Sequence, residues 1–288
     1  MPDALSGVAP RVERHFETVL AGFGANRVAQ AMRYALRGGK RVRALLVIAG
    51  ARLHGVAEAR AIWPACAIEA MHAYSLVHDD LPSMDDDALR RGQPTLHVKW
   101  DEATAILAGD ALQSLAFELA AHPQGADTAA ARAELALSLA RAAGGQGMVL
   151  GQALDIAAET AAAPLTLEDI EALQAGKTGA LIEWAAMAGP RMAGAETGPL
   201  SAYASALGLA FQIQDDIIDL TGDAAAAGKA VGKDAAAGKA TFVSLMGLDA
   251  ARRRAVELVT EAEDALSCYG EAAEHLRALA RFVISRQS

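Results

Sequence analysis

Cysteine is nearly absent. Cys66 and Cys268 are the only two in 288 residues. They are too few and too far apart for a disulfide framework or a thiolate metal centre, and both read as reduced structural thiols. Aromatic residues are scarce as well, at 5%, and no stretch shows the Val-, Ile- and Thr-rich alternation of half-buried strands. Helix is therefore favoured throughout. No uninterrupted apolar run reaches the roughly 18 residues of a membrane span, and residues 1–10 lack the basic-then-apolar order of a secretory signal; the expected location is the cytoplasm. Positive charge is in short supply, with 26 Lys and Arg against 35 Asp and Glu and a formal net charge of −9. Nucleic acid is therefore not an expected partner, because a phosphate backbone needs a basic footprint. A small anion still fits, since the basic residues that exist cluster at Arg37-Gly38-Gly39-Lys40-Arg41-Val42-Arg43 and at Arg90-Arg91. In a partly dry cleft, opposite charges about 4 Å apart attract by roughly 4 kcal/mol at an effective dielectric of about 20.

What the chain does have is a rich supply of core-forming residues: 53% are hydrophobic and 21% charged, the balance of a well-filled globular core. Helical periodicity runs roughly over residues 10–36, 40–54, 60–80, 101–121, 126–156, 167–188, 200–221, 241–268 and 271–285. Gly38-Gly39, Gly55, Pro123 with Gly125, Pro164, Gly189-Pro190 and Gly198-Pro199 punctuate it. Thr166 through Asp169 reads as a capped helix start. Residues 221–240 form one long loop in which Gly222, Gly228, Gly232 and Gly238 alternate with Lys229, Lys233 and Lys239. No composition shift divides the chain, so the expectation is an all-α fold: one multi-helix bundle spanning residues 1–288. Gly144-Gly145-Gln146-Gly147 lacks the preceding strand of a nucleotide-binding loop and reads instead as small residues that let helices approach closely.

Two aspartate clusters stand out. Asp215, Asp216 and Asp219 sit in an apolar helical stretch and share an arc of about 100°; like charges so close repel unless a cation neutralises them. Asp79, Asp80 and Asp85 form the other. On an unbroken helix Asp85 would fall about 120° away from Asp79, but Leu81-Pro82 ends the helix, and a turn can carry Asp85 back. Oxygen-only ligands select a hard divalent ion, Mg²⁺ or Mn²⁺, that completes its shell with waters and phosphate. Carboxylate trios together with separate Lys and Arg clusters describe a site for two phosphorylated ligands, with loss of diphosphate as the fitting chemistry.

The segments GGKRVR at 38–43, HAYSLVHDDLPSMDDDALRRGQPTLH at 72–97, GDALQ at 109–113, GKTGAL at 176–181 and FQIQDDIIDLTGD at 211–223 resemble the trans-prenyltransferases, or polyprenyl synthetases. The likeness is closest to the bacterial farnesyl diphosphate synthase type, whose first aspartate motif has the same longer spacing. The resemblance implies the isoprenoid synthase helical bundle and a homodimer. It implies that Asp79, Asp80, Asp85, Asp215, Asp216 and Asp219 bind three Mg²⁺ per active site, with Mn²⁺ as the alternative. It further implies that Arg90, Lys177, Thr178, Gln212, Lys229 and Lys239 contact an allylic diphosphate, and that Lys40, Arg43, His72 and Arg91 hold isopentenyl diphosphate. The implied reaction is ionisation of the allylic C–O bond, attack by the isopentenyl double bond, and proton loss. Two departures from the family pattern are Ala44, where relatives usually carry proline, and a C-terminus without the final basic residue.

Geometry alone leaves alternatives. His72 lies seven residues before Asp79, on nearly the same helical face, where a core histidine would also sit. Glu69-Ala70-Met71-His72 is one Glu-x-x-His step of the kind that builds di-iron sites in bundles, though such sites use the step twice. Ser75 lies about one helical turn before Asp79, where a growing isoprenoid tail would pass, with Tyr74 and Met71 as the floor limiting it to fifteen carbons; a helical serine also bonds the preceding turn. Synthases stopping at ten or twenty carbons are the nearest alternatives.

Overall fold

The structure is a computed structural model that describes residues 3–160, 165–221 and 240–285. Helix dominates these residues, and the described chain falls into two compact units.

The first unit comprises Asp3–Ala140 with Ala188–Ala195. It carries α1 (Asp3–Leu20), α2 (Arg27–Ala35), α3 (Val42–Leu53), α4 (Glu58–Asp79), a hairpin of β1 (Leu89–Arg90) and β2 (Gln93–Pro94), α5 (Leu96–Lys99) and α6 (Glu102–Ala120). The single helix expected over 10–36 is two. Gly24 adopts φ 69°, and the Asn26 side chain accepts from the Ala29 N–H at 2.9 Å, so α2 starts afresh. In α1, Val8, Val12, Phe16 and Leu20 are buried at four-residue spacing, one apolar stripe turned to the core. α4 is the central element; it packs on α6, α3 and α1, which is why Ala65, Ile68, Ala70 and Met71 are fully enclosed.

Against that core lies a ring cluster. Trp63 stacks on His122 at 3.5 Å and 4°, and His15 meets its edge at 4.4 Å. The His15 Nε2 atom is buried without a hydrogen-bond partner, while the Gln124 N–H donates to His122 Nδ1 at 3.2 Å. Burial, then the nearness of His122, holds His15 below the usual histidine range. Burial does the same for His122, against the opposing pull of Glu118. The sign follows. The unfolded chain takes up these protons near pH 6.5 and the folded chain only at lower pH. Stability is therefore fully present above about pH 6.5 and declines as pH falls below it. Thermal melts at pH 7.5 and 5.5 should show a lower midpoint at 5.5, and His15→Asn combined with His122→Asn should shrink that drop; an undiminished drop would contradict the assignment.

The second unit comprises Arg141–Met187 with Glu196–Ser288, described within the limits above. Here α7 (Ala129–Ala143) ends, followed by α8 (Met148–Glu159), α9 (Leu167–Gln174), a π turn at Ala175–Gly179, α10 (Ala180–Ala193), α11 (Gly198–Thr221), α12 (Phe242–Met246), α13 (Leu248–Ala265) and α14 (Glu274–Ser285). The helix expected over 126–156 breaks at residues 144–147, and that over 241–268 breaks at Gly247, where φ is 81°. The expected Thr166 start of α9 is a complete capping box with Asp169. α11 packs on α13 and α14; its buried Leu200, Tyr203, Leu207, Ala210 and Ile213 form the stripe, and the Tyr203 hydroxyl donates to the Leu276 carbonyl at 2.8 Å.

Candidate active site

The first aspartate segment follows the chain's own logic. α4 ends at Asp79, two residues before Leu81-Pro82, and the Asp85 N–H donates to the Asp79 carbonyl at 2.9 Å. The turn thus closes as the proline predicts, with Asp79 half-buried and Asp85 exposed. Asp80, expected among the metal ligands, is buried and accepts from Arg90, Nε at 2.8 and 2.9 Å and Nη2 at 2.5 Å. Burial alone works against the Arg90 charge, but the fork with Asp80, with Asp79 and Asp87 nearby, holds it above the usual arginine value. Asp80 thereby fixes Arg90, which the left-handed Arg91-Gly92 turn (φ 53° and 72°) places at the hairpin tip.

The basic loop is built as tightly. Gly38 and Gly39 adopt φ 69° and 92°, and a Cβ on Gly39 would stand 2.9 Å from the Arg91 guanidinium, so another residue there would be strained and would push Arg91 aside. Arg41, buried and at φ 52°, pairs with Glu69 of α4 at 3.2 Å and donates to the Leu36 carbonyl. The other Glu69 oxygen accepts from the Ala44 N–H at 3.0 Å. Ala44 therefore offers a backbone donor that the buried glutamate uses. With both Glu69 oxygens engaged in this way, the Glu-x-x-His step is structural. Arg43 and Arg91 differ from Arg41 and Arg90: among the described residues neither is ion-paired, and Arg43 Nε is buried without a partner. Burial, only partly offset by Glu69, pulls the Arg43 charge down. His72 is held well below its usual range by burial and then by Arg43, Arg91, Arg90 and Arg41. Four guanidiniums around a neutral histidine, balanced by two carboxylates, form a seat for an anion. Lys40 stands exposed in the same loop.

On α4, the Ser75 Oγ donates to the His72 carbonyl at 2.9 Å, the local bond a helical serine makes. Tyr74 is half-buried with its ring edge-on to His78 at 5.0 Å, and Met71 is wholly enclosed.

In the second unit, Lys177 and Thr178 lie on the π turn, a local widening of the helix that is frequent at functional sites. The turn nests against α8. A Cβ on Gly151 would fall 2.0 Å from the Lys177 backbone nitrogen, so Gly151 serves that close packing; within residues 144–147, a Cβ on Gly147 would strike the Ala142 carbonyl, whereas one on Gly145 would meet open space, so the close-approach reading holds there for Gly147 alone. Lys177 Nζ donates to Asp155 Oδ2 at 2.6 Å. One turn back, the Gln152 amide is buried with neither polar atom partnered, as is the Gln174 Oε1. Neither Gln152 nor Asp155 was expected; two polar residues three apart beside Gly151, in a helix otherwise apolar until Glu159, were the available signal. Asp215, Asp216 and Asp219 are half-buried on α11, the first two about one turn and the third about two turns beyond Gln212. The Asp216 Oδ2 accepts from the Phe242 N–H at 2.7 Å, capping α12. Lys229 and Lys239 lie outside the described residues.

Among the described residues, no three Asp, Glu, His or Cys side chains converge to hold a cation by themselves. Oxygen donors in ones and twos suit Mg²⁺, which keeps waters and binds through one or two carboxylates plus substrate phosphates.

The chain is similar to known proteins over nearly its whole length. The polyprenyl synthetase family matches residues 25–277. The farnesyl diphosphate synthase of Haemophilus influenzae is 44% identical over 99% of this chain and 98% of its own. The apo structure of an FPP/GFPP synthase from Zymomonas mobilis superposes with a TM-score of 0.89, at 44% identity and 97% coverage of both chains. A geranyltransferase from Helicobacter pylori, solved with magnesium and isoprenyl diphosphate, gives 0.79 at 34% identity, covering 99% of this chain and 97% of its own.

Proposed function

The chain belongs to the polyprenyl synthetase family, and on that footing we propose that it is a prenyltransferase condensing isopentenyl diphosphate with dimethylallyl and then geranyl diphosphate to give farnesyl diphosphate. The observation that carries this reading is the anion seat: Arg43 and Arg91, without carboxylate partners among the described residues, beside neutral His72 and next to Lys40. We assign these four to the isopentenyl diphosphate, a group that stays on the product. The family match, which runs through both units, supports a single functional domain.

We assign magnesium, which the Helicobacter relative binds, to Asp79, Asp85, Asp215 and Asp219. When bound it would neutralise charge on the leaving diphosphate. Asp80 acts through Arg90, and Asp216 both caps α12 and belongs to the same acidic motif. Arg90, Lys177, Thr178 and Gln212 hold the allylic diphosphate, as would Lys229 and Lys239. The allylic C–O bond breaks with both electrons leaving on diphosphate. The isopentenyl double bond supplies the pair for the new C–C bond, and the departing diphosphate takes the proton that restores a double bond. Guanidinium and ammonium groups stabilise the charge growing on the leaving oxygen. No covalent nucleophile is required. Asp155 holds Lys177 in place on the π turn.

The test is diphosphate release that requires both substrates and Mg²⁺ together; release from the allylic substrate alone at the same rate would contradict condensation. Lys40→Ala or Arg43→Ala is expected to raise the KM for isopentenyl diphosphate well above any change in the allylic KM, since a group that does not leave is bound alike in ground and transition states. Steady-state kinetics varying each substrate separates these, and a shift confined to the allylic KM would exchange the two sites. For product length we assign Ser75, Tyr74 and Met71. Ser75→Phe should shift products from fifteen towards ten carbons, because an aromatic ring overpacks the path of the tail; unchanged farnesyl output would remove that path from this face of α4.

We further infer a homodimer acting in the cytoplasm. Ile106 and Leu107 on α6, and Val149, Leu150 and Leu154 on α8, are more than 40% exposed, the sort of apolar surface that partners cover. Among the described residues no helix is long and apolar enough to cross a membrane.

A further inference from the structure

A cavity of about 220 Å³ opens in the first unit beside the anion seat. Tyr34, Ala73, Leu76, Val77, Pro94 and Leu96 give it apolar walls, and Arg37, Arg90, Arg91 and Asp80 also line it. Lys40, Arg43 and His72 do not. Helix geometry explains most of the separation: at about 100° per residue, Ala73, Val77 and Asp80 fall roughly 80–140° around α4 from His72, while Leu76, about 40° from it, stands at the border between the two. The Tyr34 hydroxyl donates to the Pro94 carbonyl at 2.8 Å, and Arg91 Nη1 donates to the Arg37 carbonyl at 3.2 Å. These bonds tie α2 and the loop after it to the hairpin.

The charges lining the cavity do not balance. Asp80 is taken by Arg90, and among the described residues neither Arg37 nor Arg91 has a carboxylate partner. Two surplus guanidiniums over an apolar hollow match an anionic head on an apolar body. The volume lies below the about 300–1,000 Å³ of sites for drug-sized ligands, which limits the occupant to a bicyclic ring system or a short isoprenoid chain.

We propose that this cavity binds a small apolar molecule carrying one anionic head group, with the head on Arg37 and Arg91 and the body against Leu76, Val77 and Leu96. Its occupant draws Arg91 away from isopentenyl diphosphate. That coupling rests on the assignment of Arg91 above, whereas the binding itself does not.

The probe is 2-naphthoate, titrated into the full-length protein by calorimetry, with uncharged 2-naphthamide as its control. Arg37→Ala changes an exposed side chain and leaves the core alone; Val77→Phe fills the cavity, with its fold checked by circular dichroism. Binding of naphthoate should weaken at least fivefold in Arg37→Ala and be lost in a folded Val77→Phe, and naphthamide should bind at least fivefold more weakly than naphthoate. Equal affinity of wild type and Arg37→Ala for naphthoate, or of acid and amide for wild type, overturns the site. In kinetics, naphthoate should raise the KM for isopentenyl diphosphate and leave the allylic KM in place. Binding as expected with an unmoved isopentenyl KM upholds the cavity and overturns its coupling to Arg91. A protein without condensing activity would strike the proposed function and leave the titration result intact.

Discussion

Asp79→Ala is expected to cut turnover by at least about 10²- to 10³-fold, the loss that follows removal of one group stabilising charge in a transition state. Asp215→Ala should do the same. Asp79 is half-buried at the end of α4 and Asp215 is half-buried in the C-terminal third of α11, so neither substitution opens a cavity in the core. Removing one carboxylate also relieves repulsion from its neighbours in the metal-free protein, so the melting midpoint should hold or rise. Turnover at saturating Mg²⁺, paired with a thermal melt, checks both halves. Near-normal turnover of either variant would remove that aspartate from the metal site, and a collapsed melt would make its role structural.

The largest expected effect on stability lies elsewhere, at Glu69→Ala. Glu69 and Arg41 are about 5% and 4% exposed, and breaking a buried pair by deleting one partner typically costs about 3–5 kcal/mol, because the remaining charge is left without compensation. The same substitution strips the Ala44 N–H of its acceptor at the start of α3. Glu69→Gln keeps an acceptor for that N–H but loses the charge, and should fall between. A double variant with Arg41→Met and Glu69→Leu removes both charges and should recover part of the loss, since apolar replacement of a whole buried pair is often neutral. Urea unfolding of the four proteins measures this. If Glu69→Ala unfolds at the wild-type midpoint, the pair does not anchor the basic loop.

Much of this was readable in the sequence because it depends on local chemistry. Proline at 82 ends α4 and lets Asp85 return to Asp79; Thr166 and Asp169 cap α9; Gly38-Gly39 mark a loop whose positive φ favours glycine. What was not readable depends on partners distant in sequence. Asp80 is one of two adjacent aspartates and reads like its neighbour until Arg90 is seen to fork onto it. Asp155 looks like a solvated residue on α8 until the π turn brings Lys177 against it. The hairpin at 89–94 escaped because its strands are two residues each, too short for any periodicity. The breaks at Gly24 and at 144–147 were masked by alanine-rich sequence whose helical pattern runs on through them.

Chain length is where the account commits itself furthest, and one measurement reaches it directly. Purified protein incubated with dimethylallyl and isopentenyl diphosphates and Mg²⁺, followed by chromatographic sizing of the dephosphorylated alcohols, should yield the fifteen-carbon product as the main species, with the ten-carbon intermediate transient. A dominant ten- or twenty-carbon product would contradict the farnesyl assignment, and no prenyl product from this substrate pair would contradict the proposed condensation altogether.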